Sequence, residues 1–113
     1  MASNQVGAYH LLIKNEQSRN PVSRRTNEPT NMTEEEAIAE LTEIKKKITP
    51  ETFQQVAAER SDCGSYANGG DLGMFGPGEM MKPFEDATRA LQVGEISDIV
   101  KTDSGVHLIM RYA

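Results

Sequence analysis

An α+β domain, with helices packed on an antiparallel sheet, is the fold this sequence predicts. Three observations lead there: a short apolar strand pattern near the start, helical periodicity across much of the middle, and a hairpin pattern at the end. At 113 residues the chain suits one domain, residues 1–113, with a single modest core.

Residues 1–7 read as an N-terminal tail. The run AYHLLIK, residues 8–14, is a strand that sets His10, Leu12 and Lys14 on one face. Residues 15–31 hold Pro21, Pro29 and several Asn without periodicity, so they predict a long loop; in a domain this small such a loop is functional or mobile. Thr33-Glu-Glu-Glu36 is a capping box, and Ile38, Leu41, Ile44 or Lys45, and Ile48 then trace one helical face. The acids stand at the positive end of that helix and Lys45 to Lys47 at its negative end.

Thr49-Pro50 is expected to start a second helix, with Thr as cap and Pro in the first position, turning Phe53, Val56 and Ala57 inward. The segment from Ser61 to Phe84 reads as irregular. Pro83 opens a third helix on which Phe84, Ala87, Thr88 and Leu91 align, and Gly94 is its expected C-terminal cap. The hairpin follows: Ile99 to Thr102, a turn at Asp103-Ser104-Gly105, and Val106 to Tyr112. On its return strand Val106, Leu108, Met110 and Tyr112 share one face, and His107, Ile109 and Arg111 the other.

Composition narrows the functional classes. No apolar run approaches a membrane span, and the start MASNQVGAYH lacks the basic and apolar regions of a secretory signal. One cysteine forms no internal disulfide, which fits a reducing compartment, cytoplasmic or nuclear. A net charge of -5 argues against general nucleic-acid binding. Against that background the segment from Lys14 to Arg25 is basic, with Lys14, Arg19, Arg24 and Arg25 facing one acid, Glu16. A solvated loop without a role is the plain alternative.

The segment from Ser61 to Phe84 concentrates unusual chemistry. It carries the one cysteine, Cys63, six of the 9 glycines, three of the 6 methionines and two of the 3 phenylalanines. Cys63, His10 and His107 are the chain's nucleophile or proton carriers near neutrality, although a lone Cys is commonly a small buried hydrophobe and a strand His a structural one. They are too scattered for a zinc site. A cysteine hydrolase would need Cys63 activated by a histidine; Asp62 beside the thiol is expected to raise its pKa and oppose that. GGDLGMFGPG lacks the lysine and hydroxyl ending of a phosphate loop, so nucleotide binding is rejected.

Five motifs in register, HLLIK (10–14), SDCGS (61–65), GGDLG (69–73), KPFEDA (82–87) and TDSGVH (102–107), resemble the parvulins, a family of peptidyl-prolyl cis/trans isomerases. The resemblance runs from Tyr9 to Ala113. The SRNP loop at 18–21 and Cys63 resemble the branch directed at phosphoserine- or phosphothreonine-proline bonds. With no tryptophan, the chain resembles a stand-alone catalytic domain without a WW module. The resemblance implies a four-stranded antiparallel sheet flanked by about four helices. It implies catalytic roles for His10, Cys63, Ser104 and His107, and a proline pocket of Leu72, Met80 and Phe84 edged by Phe75, Met81 and Thr102.

It further implies that Lys14 and Arg19 of the basic substrate loop, 15–31, hold a phosphate. Where that branch often has adjacent arginines this chain has Arg19-Asn20, so Arg24 or Arg25 is the candidate to compensate. No cofactor or metal is implied, and the expected partners are phosphorylated Ser/Thr-Pro proteins or peptides, met as a monomer; membrane and nucleic acid are not among them. A binding module of the same fold without turnover, and a parvulin without phosphate preference, are the alternatives. Phe84 is expected to be a partly buried pocket wall.

Overall fold

The strand that opens the fold starts before its most apolar stretch. In the computed structural model, which describes residues 4–113, β1 spans Val6–Ile13, so Val6 and Gly7 belong to the strand and not to a tail. The first three residues of the expected tail lie outside the described residues. β2 (Asp71–Phe75), β3 (Val100–Thr102) and β4 (Gly105–Arg111) complete a 4-stranded sheet of order β2-β1-β4-β3, antiparallel throughout. Its two central strands are the first and last of the chain, paired from Ala8↔Arg111 to Ile13↔Val106.

β2 is the element that the sequence pattern missed. Its five residues, Asp-Leu-Gly-Met-Phe, show no clean alternation of burial, and Gly73 at its centre has φ +73. The β1–β2 register shifts between Gly7 and Tyr9, so this edge pairing is irregular as well as short. The implied four strands are present. Of the implied helices, three are α-helical, α1 (Glu34–Lys47), α2 (Phe53–Arg60) and α3 (Lys82–Ala90), and a 3-10 turn covers Gly64–Asn68.

Capping explains where the helices begin, and corrects two expectations. The Thr33 hydroxyl accepts from the Glu36 N–H at 3.1 Å and the Glu36 carboxylate accepts from the Thr33 N–H at 2.9 Å, as the capping box requires. Ala37 and Leu41 carry the buried face, while Lys45 turns out to Asp98 at 2.6 Å. Thr49-Pro50 does not start α2. Thr49 and Thr52 each accept from the other's N–H, at 3.2 and 3.0 Å, which closes a turn and delays the helix to Phe53. Nor does Gly94 end α3. The helix stops at Ala90 with Leu91 as its cap, and Gly94, at φ +89, serves the following turn, donating to the Arg111 carbonyl at 2.6 Å.

The sheet separates two cores. Leu11, Ile13, Val106, Leu108 and Met110 meet Ala37, Leu41, Phe53 and Ala57 under α1 and α2. On the opposite face Val6, Ala8 and Ile109 meet Phe75, Phe84 and Leu91 under α3. Both faces of β1 and β4 are therefore buried, which is why their sequences read as nearly continuous apolar runs. Two glycines permit close backbone approach to β1. A Cβ at Gly70 (φ +83) would collide with the His10 carbonyl, and one at Gly105 would lie 2.6 Å from the Ile13 carbonyl. Among the described residues no helix is long and apolar enough to cross a membrane.

Candidate active site

The α3 face of the central strand pair carries two buried histidines where apolar residues would otherwise continue. His10 lies opposite Ile109 and His107 opposite Leu12, so the two rings are diagonal neighbours across the ladder. Their Nδ1 atoms are 3.0 Å apart and the rings stack at 23°. The other nitrogen of His107 meets the Thr102 hydroxyl at 2.7 Å, and that hydroxyl also accepts from the Ser104 N–H at 3.1 Å. Burial, then the charge of His10, pushes the pKa of His107 well below 6.5, so it is neutral at pH 7. A neutral imidazole donates from one nitrogen and accepts at the other, so Thr102 and His10 necessarily play opposite roles toward it. Phe84 packs edge-on against both rings, with centroids 5.4 and 5.2 Å away.

Cys63 is brought to this face by its two predecessors. The Ser61 hydroxyl accepts from the Leu12 N–H at 3.0 Å, and the Asp62 N–H donates to the Leu12 carbonyl at 2.7 Å. The Asp62 carboxylate, buried, accepts from the Lys14 N–H at 2.9 Å and from Arg60 at 3.1 Å. The expectation that Asp62 raises the thiol pKa is overturned. Burial pushes Cys63 up, but the influence of nearby His10, joined by Ser65, outweighs it and brings the thiol down from 9.0 to about 6. His10 Nε2 and Ser65 Oγ are themselves buried without a hydrogen-bond partner among the described residues. Asp62 clamps the backbone, and His10 sets the charge.

Two small pockets share this cysteine. The first, about 180 Å³, is lined by Leu12, Leu72, Met80, Met81 and Phe84 together with His10, Cys63, Ser104 and His107. That is below the roughly 300–1,000 Å³ of ordinary cofactor or drug-sized sites and suits one small apolar ring. The second, about 250 Å³, is lined by Leu12, Lys14, Arg19, Asn20, Arg24, Cys63, Gly64 and Ser104. Leu12, Cys63 and Ser104 thus form the partition between an apolar hollow and a cationic one. An open cleft of about 480 Å³, lined by Lys82, Lys101 and Thr102 among others, adjoins the apolar pocket at Met81.

Most of the residues expected at the site are gathered here, with three differences. Phe75 does not line the apolar pocket; it is 2% exposed and packs behind Phe84 at 6.1 Å between centroids. Thr102 holds His107 and is not itself a wall of that pocket. Phe84 is 3% exposed, so it is a core residue as well as a wall. Of the two loop arginines left open, Arg24 reaches the cationic pocket and Arg25 does not line it. The Lys14 ammonium donates to the Val22 carbonyl at 2.7 Å; burial, above all, lowers its pKa, with Arg24 and Arg19 adding to the fall and Asp62 and Cys63 opposing it. Leu12 was missed as a wall of both pockets, though its place between His10 and Lys14 on one strand face was the available signal. Among the described residues no three His, Cys, Asp or Glu side chains converge as a metal site would need.

Residues 10–113 match the rotamase family, described as a PPIC-type PPIase domain. The chain belongs to that family. Its reaction is accordingly the cis/trans isomerisation of peptidyl-prolyl bonds, and the parvulin resemblance of the five motifs holds across the domain. Among curated relatives of this rotamase, the peptidyl-prolyl cis-trans isomerase Pin1 of Arabidopsis thaliana is 50% identical over 119 aligned positions, covering 100% of both chains. ESS1 of Saccharomyces cerevisiae is 46% identical over 95% of this chain and 65% of its own length. Among solved structures, TbPIN1 superposes with a TM-score of 0.89 at 56% identity, over 99% of this chain and 100% of that one. The peptidyl-prolyl isomerase ESS1 from Candida albicans gives 0.90 at 40% identity, over 97% of this chain and 63% of that one.

Proposed function

We propose that this rotamase acts on phosphoserine- and phosphothreonine-proline bonds, seating the proline ring in the apolar pocket and the phosphate in the cationic one. A single observation carries the reading: the two pockets share Cys63 and Ser104, so adjoining residues of one peptide occupy both while the bond between them lies against the thiol. Leu72, Met80 and Phe84 grip the ring. Lys14 and Arg19 supply positive charge to the phosphate.

Rotation about the bond before proline faces a barrier of about 18–20 kcal/mol, because amide resonance gives the C–N bond double-bond character. Lowering it requires binding the twisted amide better than either planar form. Resonance places negative charge on the carbonyl oxygen of the planar form. A Cys63 thiolate, favoured at neutral pH by a pKa near 6, repels that charge and so favours the twisted state, in which the nitrogen lone pair is localised. His10 sustains the thiolate, and neutral His107, held by Thr102, orients His10. No bond to a heavy atom breaks, so the thiol need not attack.

A rotamase without phosphate preference is the second reading, favoured by Asn20 in the cationic pocket and by the engagement of Lys14 with Val22. Values of kcat/KM for phosphoSer-Pro, Glu-Pro and Ser-Pro peptides decide between them. The proposal expects that descending order, shrinking as salt rises, and an Arg19→Ala variant in which most of the difference is gone. Equal values in the native protein support the second reading. The catalytic groups all come from one chain, which supports action as a monomer on phosphorylated proteins. A free, acidic thiol supports residence in the cytosol or nucleus, and imaging of a tagged chain checks it.

A further inference from the structure

Resting on the phospho-directed reading, we propose that Arg24 is the third cation of the anion site, replacing across the loop the charge that Asn20 does not supply. Three observations converge on it. Lys14, Arg19 and Arg24 line one pocket of about 250 Å³, whereas Arg25, the next residue, stays outside it. Neither Arg19 nor Arg24 has a side-chain hydrogen bond or ion pair to any protein group among the described residues. Their like charges crowd Lys14, and the carboxylate that offsets them, Asp62, is already engaged by Arg60 and the Lys14 N–H. Gathered cations with open donors are what a dianion would neutralise.

The backbone fixes where these arginines stand. The Arg24 N–H donates to the Asp62 carbonyl at 2.9 Å, one residue before Cys63. The Arg19 N–H donates to the Asp103 carbonyl at 2.7 Å, one residue before Ser104. Each arginine is therefore tied to the neighbour of a residue shared by both pockets. The loop itself is braced: Val22 bridges Pro29, the Ser23 N–H donates to Glu28 at 2.9 Å, and the Thr30 N–H to Pro21 at 2.8 Å. What reads in sequence as a long structureless stretch closes over residues 21–30 as a small hairpin. Arg24 sits at the start of its turn, with the side chain exposed and the backbone held. Preorganised backbone lowers the entropy lost when a charged side chain closes on a ligand.

The test compares Arg24→Gln, Arg25→Gln and the double variant Asn20→Arg/Arg24→Gln. Its readout is the ratio of kcat/KM for phosphoSer-Pro over Ser-Pro peptides, with inorganic phosphate titrated by NMR as a direct probe of the pocket. Loss of one charge-assisted contact should lower the ratio about tenfold in Arg24→Gln and weaken phosphate binding to match. Arg25→Gln should leave the ratio at the native value, and Asn20→Arg should restore it in the double variant. An unchanged ratio in Arg24→Gln, beside a fallen one in Arg19→Ala, overturns the assignment and leaves the phospho-directed reading standing. Equal falls in Arg24→Gln and Arg25→Gln overturn it too, pointing to diffuse loop charge. A native ratio of one removes both the reading and this inference.

Discussion

The two faces of one strand pair have been put to different uses. Under α1 and α2, β1 and β4 present Leu11, Ile13, Val106, Leu108 and Met110 to a closed apolar core. Under α3 the same strands present Ala8, His10, Leu12, His107 and Ile109, and the packing stops short enough to leave a pocket of about 180 Å³. The strand residues that fill the first face are all apolar. On the second, two buried imidazoles and a threonine hydroxyl form a hydrogen-bonded chain beside a thiol, and His10 Nε2 is left without a partner among the described residues. A small domain can carry a polarised site because the face behind it is filled without compromise.

Matched aromatic truncations test that division most severely. Phe53 belongs to the closed face and Phe84 to the open one, and both are buried. Each substitution to Ala should cost about 3–5 kcal/mol of stability, read by chemical denaturation. Only Phe84→Ala should also lower kcat/KM per folded molecule, by about a hundredfold, since it misplaces ring and histidines together. A comparable loss of activity in Phe53→Ala would erase the distinction between the faces.

Within the open face, the role proposed for Cys63 is charge and not covalent attack. Cys63→Ala should lower kcat/KM about a hundredfold, the scale of losing one electrostatic stabiliser, while Cys63→Asp retains part of the activity. Equal losses in the two variants, with intact NMR spectra, would point to covalent attack.

Thr102→Val sharpens the same point more gently. It removes the partner of the His107 ring and of the Ser104 N–H at once, so about 1–3 kcal/mol of stability should go. Activity should fall with it, without any change in the walls of the apolar pocket.

The last test is one of pH. Alkylation of Cys63 by iodoacetamide should rise with pH to a midpoint near 6, against 9.0 for an ordinary thiol. The sign for stability follows from linkage. A depressed folded-state pKa means that the folded protein binds fewer protons, so Cys63 contributes stability fully present above 9.0 and lost as pH falls toward 6. His107, also depressed, has its contribution above 6.5 and loses it below. Denaturation midpoints should therefore drop on acidification through both windows. Cys63→Ser should flatten the upper one.

How much of this was readable in advance differs between elements for physical reasons. α1 announced itself because its cap, dipole charges and apolar face are all local. The false start of α2 came from the same chemistry, since hydroxyls three apart at Thr49 and Thr52 close a turn as readily as they cap a helix. β2 was hidden by a central glycine and an irregular register. The site was less legible than the fold. His10 and His107 stand 97 residues apart and meet only through the β1–β4 register, which no spacing reveals; the family motifs brought them together first. The effect of Asp62 on its neighbour was misjudged because adjacency in sequence says nothing of where a carboxylate points.

The central claim is that the open face catalyses rotation about the bond before proline, best when a phosphate precedes it. Exchange NMR on a phosphoSer-Pro peptide, with the protein at a small fraction of the peptide concentration, tests this most directly. Uncatalysed exchange takes tens to hundreds of seconds. Exchange cross-peaks are expected on a subsecond mixing time, weaker for the Glu-Pro peptide and weakest for Ser-Pro. Cross-peaks absent for all three peptides, from a protein whose own spectrum shows it folded, would contradict it.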